Sequence, residues 1–521
     1  MKPLLTIIAL LVLLSGTALT ADHRLPPDVL AVLDSAGSNR AELEKVLDLY
    51  NAPADSLKFR AACFLIGNMT GHSYVTYALE DTTGKVIPYD VLEYPTFDSL
   101  QASFKVLEEK NGSLDFKKKD VIKDETTIST DYLINQIDYA FRAWRERPFA
   151  WWLTFDQFCQ YVLPYRGSNE PLDPWRESFF TQFSSLQSSM KDSTDPIEAA
   201  RLLNKDVMSW FKFDSRYYYH PTDQGLSEMR KSGMGRCEDM TNLAIFAMRA
   251  NGLAVTSDYT PFWADAGNNH AWNAILLPSG KVVPFMGAEA NPGEYTLFHK
   301  PAKVYRKTFD QHTENLAFQK HKQKKLPGWL SGKSYIDVTP DYVKTCDVTA
   351  KLTSPVADSV DIAYLCVFNS GEWQPIQWGR ISGNSATFSA MGIDVMYMPA
   401  FYLNEKVVPA GPPFHLHGDC TVTNFEYSAD RLPTTVQLIS TTHRTLQTST
   451  DGVIKSALDP GKEYELSYWD GEWKSAGKET ATDQPLLFSK VPPGCLYWLV
   501  ATGSDKEERI FTIDGVMQVW W

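Results

Sequence analysis

The hydrophobic period of this chain changes twice, and each change confines the fold that can follow. From Pro26 to about Ser189, apolar residues recur at helical spacing. Leu43, Val46, Leu47 and Tyr50 make one stripe, and Leu133, Ile137, Phe141 and Trp144 another. From about Asp195 to Lys307 the pattern becomes a helix followed by short strand-like runs, Leu253–Tyr259, His270–Leu277 and Val282–Met286. A helix leading into an antiparallel meander implies an α+β unit. Beyond Ser334, short β-type runs are separated by Asn, Gly and Pro turns: Val360–Phe368, Ala386–Phe388, Val395–Tyr402, Glu463–Trp469, Leu486–Val491 and Leu496–Ala501. That spacing suggests β-sandwiches, with Pro399 placing its strand at a sheet edge. The predicted fold class is α+β. A helical domain over residues 22–190 precedes a central core over 191–320 and two β-sandwiches over 334–430 and 431–521. The lysine-rich stretch His321-Lys322-Gln323-Lys324-Lys325 reads as a solvated linker between them.

A chain of 521 residues that is 44% hydrophobic can build several cores. Its formal charge of −13 argues against a nucleic-acid partner, because phosphate contacts need a basic face. Met1-Lys2, the apolar run Leu4–Leu14 and the small residues up to Ala21 describe a secretory signal over 1–21. The run is short for a bilayer, so a membrane anchor is the weaker reading, and no membrane span is expected after signal removal. An exported protein follows, periplasmic, at the cell surface or extracellular. Seven cysteines, an odd number, leave at least one thiol unpaired outside the cytoplasm. No Cys-x-x-Cys spacing is present, and no metal or cofactor is expected. His299, His312 and His321 read as surface histidines, and His415 and His417 near Asp419 as a weak alternative metal pair.

The chemistry concentrates in Gly233-Met234-Gly235-Arg236-Cys237-Glu238-Asp239 and in His270-Ala271-Trp272. A thiol near neutral pH needs help to become a nucleophile. Cys237 opens an apolar helix ending at Asn251-Gly252, so its sulfur would face the helix N-terminus. The N–H groups there favour a thiolate and can hold an oxyanion. His270, at the start of a strand, would take and return the proton. Gly233 and Gly235 would leave the approach to sulfur open. The charges of Glu238 and Asp239 oppose a thiolate, so both are expected to point away from it. Tyr219 and Gln224 are the candidate oxyanion donors upstream of the cysteine.

These residues resemble the transglutaminase-like superfamily: Gly235-Arg236-Cys237-Glu238-Asp239, the helix ending Arg249-Ala250-Asn251-Gly252, and His270-Ala271-Trp272. The resemblance implies a papain-like core with a Cys-His-Asp triad, Cys237 as nucleophile and His270 as general base. The family's Asp lies at the end of the next strand. Here that strand reads Val283-Pro284-Phe285-Met286-Gly287, and Met286 stands in the expected place. Methionine cannot orient an imidazole. Glu289 is the candidate third catalytic residue, and Asp265 a weaker substitute. The order of helical leader, core and trailing sandwiches also resembles exported multidomain proteins of gut-type Bacteroidetes, a likeness of architecture only.

The expected function is cleavage or transfer of peptide or glutamine-type amides through a cysteine thioester, with hydrolysis preferred. The substrate would be a peptide or protein, cell-wall peptide or glycan among the candidates. The alternative is an inactive scaffold whose sandwiches bind glycan or protein, with Trp373, Trp378, Trp469, Trp473, Trp520 and Trp521 as stacking platforms.

Overall fold

The structure, a computed structural model, describes residues 25–323, 325–355, 359–443, 456–504 and 507–521. The proposed signal segment lies outside the described residues. Helices dominate the N-terminal part: α1 (Pro27–Ser35), α2 (Arg40–Leu49) and α3 (Ser56–Gly67), then α5 (Asp124–Thr127), α6 (Thr130–Glu146), α7 (Phe155–Tyr161) and α8 (Trp175–Gln182). Between α3 and α5 stands an insert that helical periodicity does not foretell. It is an antiparallel pair, β1 (Ser73–Glu80) and β2 (Asp115–Lys123), joined through α4 (Phe97–Asn111). Strand β2 carries Lys117-Lys118-Lys119 and is exposed along most of its length, so it shows no alternation to read.

The central part opens with α9 (Pro196–Trp210), a short parallel pair β3 (Lys212–Phe213) and β4 (Met234–Gly235), and α10 (Leu226–Ser232). Helix α11 (Cys237–Ala250) then packs against an antiparallel sheet of five strands. These are β5 (Val255–Thr260), β6 (His270–Leu276), β7 (Val282–Phe285), β8 (Tyr305–Lys307) and β9 (Tyr335–Asp337), in the order β7-β6-β5-β8-β9. Helix α11 is buried almost throughout, as its unbroken apolar run Leu243–Met248 suits, and it also buries Asp239, Thr241, Asn242 and Arg249. It stops at Asn251, and Gly252 follows with φ +84°, a left-handed conformation that favours glycine. One apolar core runs from Val29 through Phe141, Trp175 and Phe246 to Trp272 and Phe285, joining the N-terminal helices to the sheet.

The C-terminal part is antiparallel β. Strands β10 (Thr345–Lys351), β11 (Ile362–Asn369), β12 (Glu372–Ser382), β13 (Ser385–Gly392), β14 (Val395–Leu403), β15 (Lys406–Pro409), β16 (Phe414–Leu416) and β17 (Val422–Asn424) form one eight-stranded sheet. The sheet curves so that Val348, Leu365, Phe388, Tyr397 and Leu416 share one core. Strand β14 lies inside this sheet, so Pro399 is not at an edge. Its ring is tolerated because the neighbour on one side changes there from β16, which reaches Tyr397, to β15, which begins opposite Ala400. The missing N–H falls in that gap, and the Pro399 carbonyl accepts from Ala410 N–H.

The last module stacks the pair β18 (Thr434–Leu438) and β21 (Leu486–Val491) on five strands: β19 (Glu463–Trp469), β20 (Trp473–Thr480), β22 (Tyr497–Ala501), β23 (Ile510–Asp514) and β24 (Met517–Trp520). Leu438, Leu466, Phe488, Leu499 and Phe511 fill the space between the two layers.

Strand β11 is buried on both faces. Ala363, Leu365 and Val367 face their own sheet's core. Ile362, Tyr364, Cys366 and Phe368 face a second core shared with Tyr259 and Tyr305 of the central sheet and with Trp469, Trp498 and Ile510 of the last module. Trp373 and Trp469 belong to this joint, which accounts for them as packing residues. The lysine-rich stretch is fastened to the sheet rather than loose. The Lys322 N–H donates to Asp361, and Gln323 donates to the Ile362 carbonyl and accepts from the Tyr364 hydroxyl. Cys346 and Cys420 form a disulfide within the eight-stranded module, and the other five cysteines are free and buried. No helix among the described residues is long and apolar enough to cross a membrane. His417 meets the Thr423 hydroxyl and Asp419 accepts from Thr421, while the His415 ring packs on Trp521.

Candidate active site

Helix α11 begins at Cys237 because Asp239 caps it. The Asp239 carboxylate accepts from the N–H of Arg236 and from both the backbone and side chain of Gln224. Burial, with Asp223 nearby, raises the Asp239 carboxyl to about 6. Asp239 therefore points away from the sulfur. Gln224 is buried in this same network, donating also to the Met234 carbonyl and accepting from Ser232, so its amide does not face Cys237. Gly235 has a related role. A Cβ there would lie 2.6 Å from the Asp239 Cβ and 2.7 Å from Gln224 Nε2, so the glycine admits the cap rather than a substrate.

The histidine strand is pinned to the cysteine helix by a buried amide. Asn273 on β6 donates to the Thr241 carbonyl at 3.0 Å, and its oxygen accepts from Gly287 N–H at 3.1 Å. Helix, strand and the turn after β7 are thereby held in one register. Cys237 and His270 then line a single cavity of about 410 Å³, with Tyr218, Trp263, Met286, Glu289, Tyr295, Phe298 and His299 also on its walls. The Ala271 N–H, next to His270, reaches the sulfur.

The thiol donates to Glu238 Oε2 at 3.0 Å. The expectation that Glu238 turns away is therefore wrong: the flexible carboxylate folds back over the first turn, held there by Arg236, whose Nε is 3.5 Å away. Burial first, and Glu238 second, push the Cys237 thiol well above its ordinary range. Burial likewise lowers His270 to about 4. Both shifts favour a neutral thiol and a neutral imidazole within the one cavity over an ion pair.

His270 Nε2 meets the Tyr295 hydroxyl at 2.9 Å. Met286 is buried in the wall of the same cavity and offers no carboxylate. Glu289 is exposed at the cavity rim and acts on Tyr295, whose hydroxyl is raised by burial and then by Glu289 and Cys237. The place of an orienting carboxylate on His270 is therefore taken by a phenol, with Glu289 behind it. Asp265 does not reach His270. It lies 3.3 Å from His299 Nδ1 and accepts from Lys300 N–H. His299 is not a surface histidine: its side chain is only 13% exposed, and with His270 it flanks Trp263 and Phe298.

Tyr219 points elsewhere. Its ring packs on Phe97 and Phe104 of α4 at 5.8 and 5.4 Å. Neighbours in the 3-10 turn Ser215–Tyr219 diverge by about a third of a turn, and it is Tyr218 that enters the cavity. Burial, with Cys237 and Glu238, raises the Tyr218 hydroxyl to about 12, so it stays a donor. The insert braces this turn, since Arg216 donates to the Tyr94 carbonyl.

The transglutaminase-like superfamily matches residues 184–286. The chain carries a transglutaminase-like core. Cys237 and His270 both fall inside the matched span, whereas Glu289, Tyr295 and His299 lie beyond its end. Comparison with the curated proteins finds none that matches the chain.

Proposed function

We propose that the protein is a cysteine enzyme of transglutaminase-like type that cleaves peptide or glutamine-type amides through a thioester on Cys237. One observation carries this reading: Cys237 shares one cavity with His270, whose Nε2 is held by the Tyr295 hydroxyl at 2.9 Å. A depressed His270 is a neutral base over the working range. As sulfur attacks the amide carbon, the thiol proton passes to His270. The oxyanion faces the first-turn N–H groups of α11 and the Tyr218 hydroxyl. The imidazolium returns its proton to the amine nitrogen as the C–N bond breaks, leaving the acyl group on sulfur. Water, losing a proton to His270, then attacks the thioester carbonyl; the carboxylic acid leaves and the thiol re-forms. Hydrolysis is preferred over transfer because the rim, with Glu289 and Phe298 exposed, is open to water. The apolar N-terminal segment and the Cys346–Cys420 disulfide support export to an oxidising compartment.

One observation favours a second reading. The thiol is turned to Glu238 and His270 has no carboxylate partner among the described residues, as expected of an inactive scaffold with binding sandwiches. A library of glutamine-containing peptides separates the two. With wild-type protein, released amine and an acid-stable acyl adduct on Cys237 should be detected by mass spectrometry, and Cys237→Ala should abolish both. Turnover that survives Cys237→Ala would refute the thioester, and absence of adduct and product across the library would favour the scaffold.

A further inference from the structure

A second cleft, of about 670 Å³, adjoins the Cys237 cavity and shares Tyr218, Asn268 and Asn269 with it. Glu238, the partner of the thiol, lies on its wall. The two spaces are therefore neighbours along one face, separated by the first turn of α11. The charge of the second cleft runs against that of the whole protein. Its walls carry the cations Arg166, Arg236, Arg249, Lys307 and Lys333 against the carboxylates Asp223 and Glu238, in a chain of net charge −13.

Pairing removes part of this excess and leaves the rest. Arg166 is neutralised by Asp124 in a buried ion pair, and Arg236 by Asp223 at 2.9 Å. Arg249 is buried and donates only to the carbonyls of Pro164, Arg166 and Val255, so its charge has no counter-ion within salt-bridge distance among the described residues. Lys307, at the end of β8, donates to the Ser168 hydroxyl at 2.7 Å, which leaves further ammonium donors for a ligand. Asp223 faces Lys307 too, but beyond ion-pair distance, and is already engaged by Arg236. Lys333 is exposed, lies over the Phe318 ring, and has no carboxylate within salt-bridge distance among the described residues. A concave surface of one sign focuses its field on ligands of the other sign.

We propose that this cleft is a substrate subsite for a carboxylate-bearing peptide segment, with Lys307 and Lys333 meeting the acid while the adjoining cavity receives the amide. The proposal rests on the reading of Cys237 as nucleophile only for the direction in which the peptide lies. An acidic peptide is favoured over nucleic acid because a chain of net charge −13 repels a long polyanion more than a short acidic segment.

The test is a binding measurement on the full chain carrying Cys237→Ala, so that it does not depend on turnover. N-acetyl tetraglutamate amide is titrated by calorimetry against the tetraglutamine peptide and inorganic phosphate. Tetraglutamate should bind at least about tenfold tighter than tetraglutamine, the equivalent of one charge-assisted hydrogen bond, and weaken with salt. Lys307→Gln should remove that preference, and Lys333→Gln should reduce it. Equal affinity for the two peptides, or phosphate displacing tetraglutamate at equal concentration, would overturn the proposal. So would an undiminished preference in Lys333→Gln, which decides the matter should Lys307→Gln fail to fold. Acidic-peptide binding without any thioester would defeat the proposed function alone. Thioester formation on neutral peptides without tetraglutamate binding would defeat the subsite alone.

Discussion

A thiol that donates to a carboxylate gives up its proton less readily than one facing water, and Glu238 does this to Cys237 at 3.0 Å. Replacing Glu238 by Gln removes the charge and keeps the shape. Alkylation of Cys237 by iodoacetamide at pH 7 should then accelerate by about tenfold for each unit by which the thiol pKa falls. Peptide mapping with Cys159 and Cys366 as internal controls reads this, and an unchanged rate would mean that burial alone restrains the thiol. The His270 partner makes a second prediction. Tyr295→Phe removes one hydrogen bond that orients the ring, so kcat should fall about fivefold with little change in KM. The pH profile distinguishes orientation from mere packing. Burial holds His270 at about 4, so the neutral base persists down to that pH, and the acid limb of kcat/KM should lie near 4 rather than at the ordinary value of a histidine. For stability the sign is the same: below the unfolded value the unfolded chain takes up a proton that the folded ring does not, so folding weakens as pH falls towards 4. Cys237 and His270 were legible because a capped helix start and a strand start leave local marks. Tyr295 and His299 were not, since both sit in the aperiodic stretch after β7 and acquire their partners only through the fold. Tyr218 could not be told from Tyr219 within Tyr217-Tyr218-Tyr219, because a turn of the chain and not its composition decides which ring faces inward.

Among the elements, α11 and β19 have the bounds their periodicity predicts, whereas β2 and the environment of β14 do not. The difference is burial. A helix buried on all sides and a strand with one dry face carry their own pattern, but β2 is solvated and Pro399 depends on where two neighbouring strands meet. The Cys237 turn shows how tightly an element can be specified. Gly235→Ala would place a methyl group 2.6 Å from Asp239 Oδ2 and 2.7 Å from Gln224 Nε2. The cap must shift, so the variant should lose about 1–3 kcal/mol in urea denaturation, with Cys237 becoming more accessible to alkylation as the first turn loosens. A variant as stable as the wild type would show that the cap can relax around a methyl group.

At the scale of the molecule, the aromatic joint should make the parts unfold together. Phe368, Trp469, Trp473 and Trp498 interlock there, with Phe368 and Trp498 ring centres 5.1 Å apart. Trp498→Ala should cost about 3–5 kcal/mol and split a single calorimetric transition into two; two transitions already present in the wild type would contradict this coupling. The loop before His270 is where the same coupling reaches the Cys237 cavity. Asn369, from the eight-stranded module, donates to the carbonyls of Trp263, Ala266 and Asn268. Arg509, from the last module, donates to those of Ala264 and Ala266. Two modules thus hold one wall of the Cys237 cavity from behind. In engineering terms, residues 184–286 do not make a free-standing cassette: cut out alone, they would keep Cys237 and His270 but lose the Asn369 and Arg509 donors that hold the loop before His270.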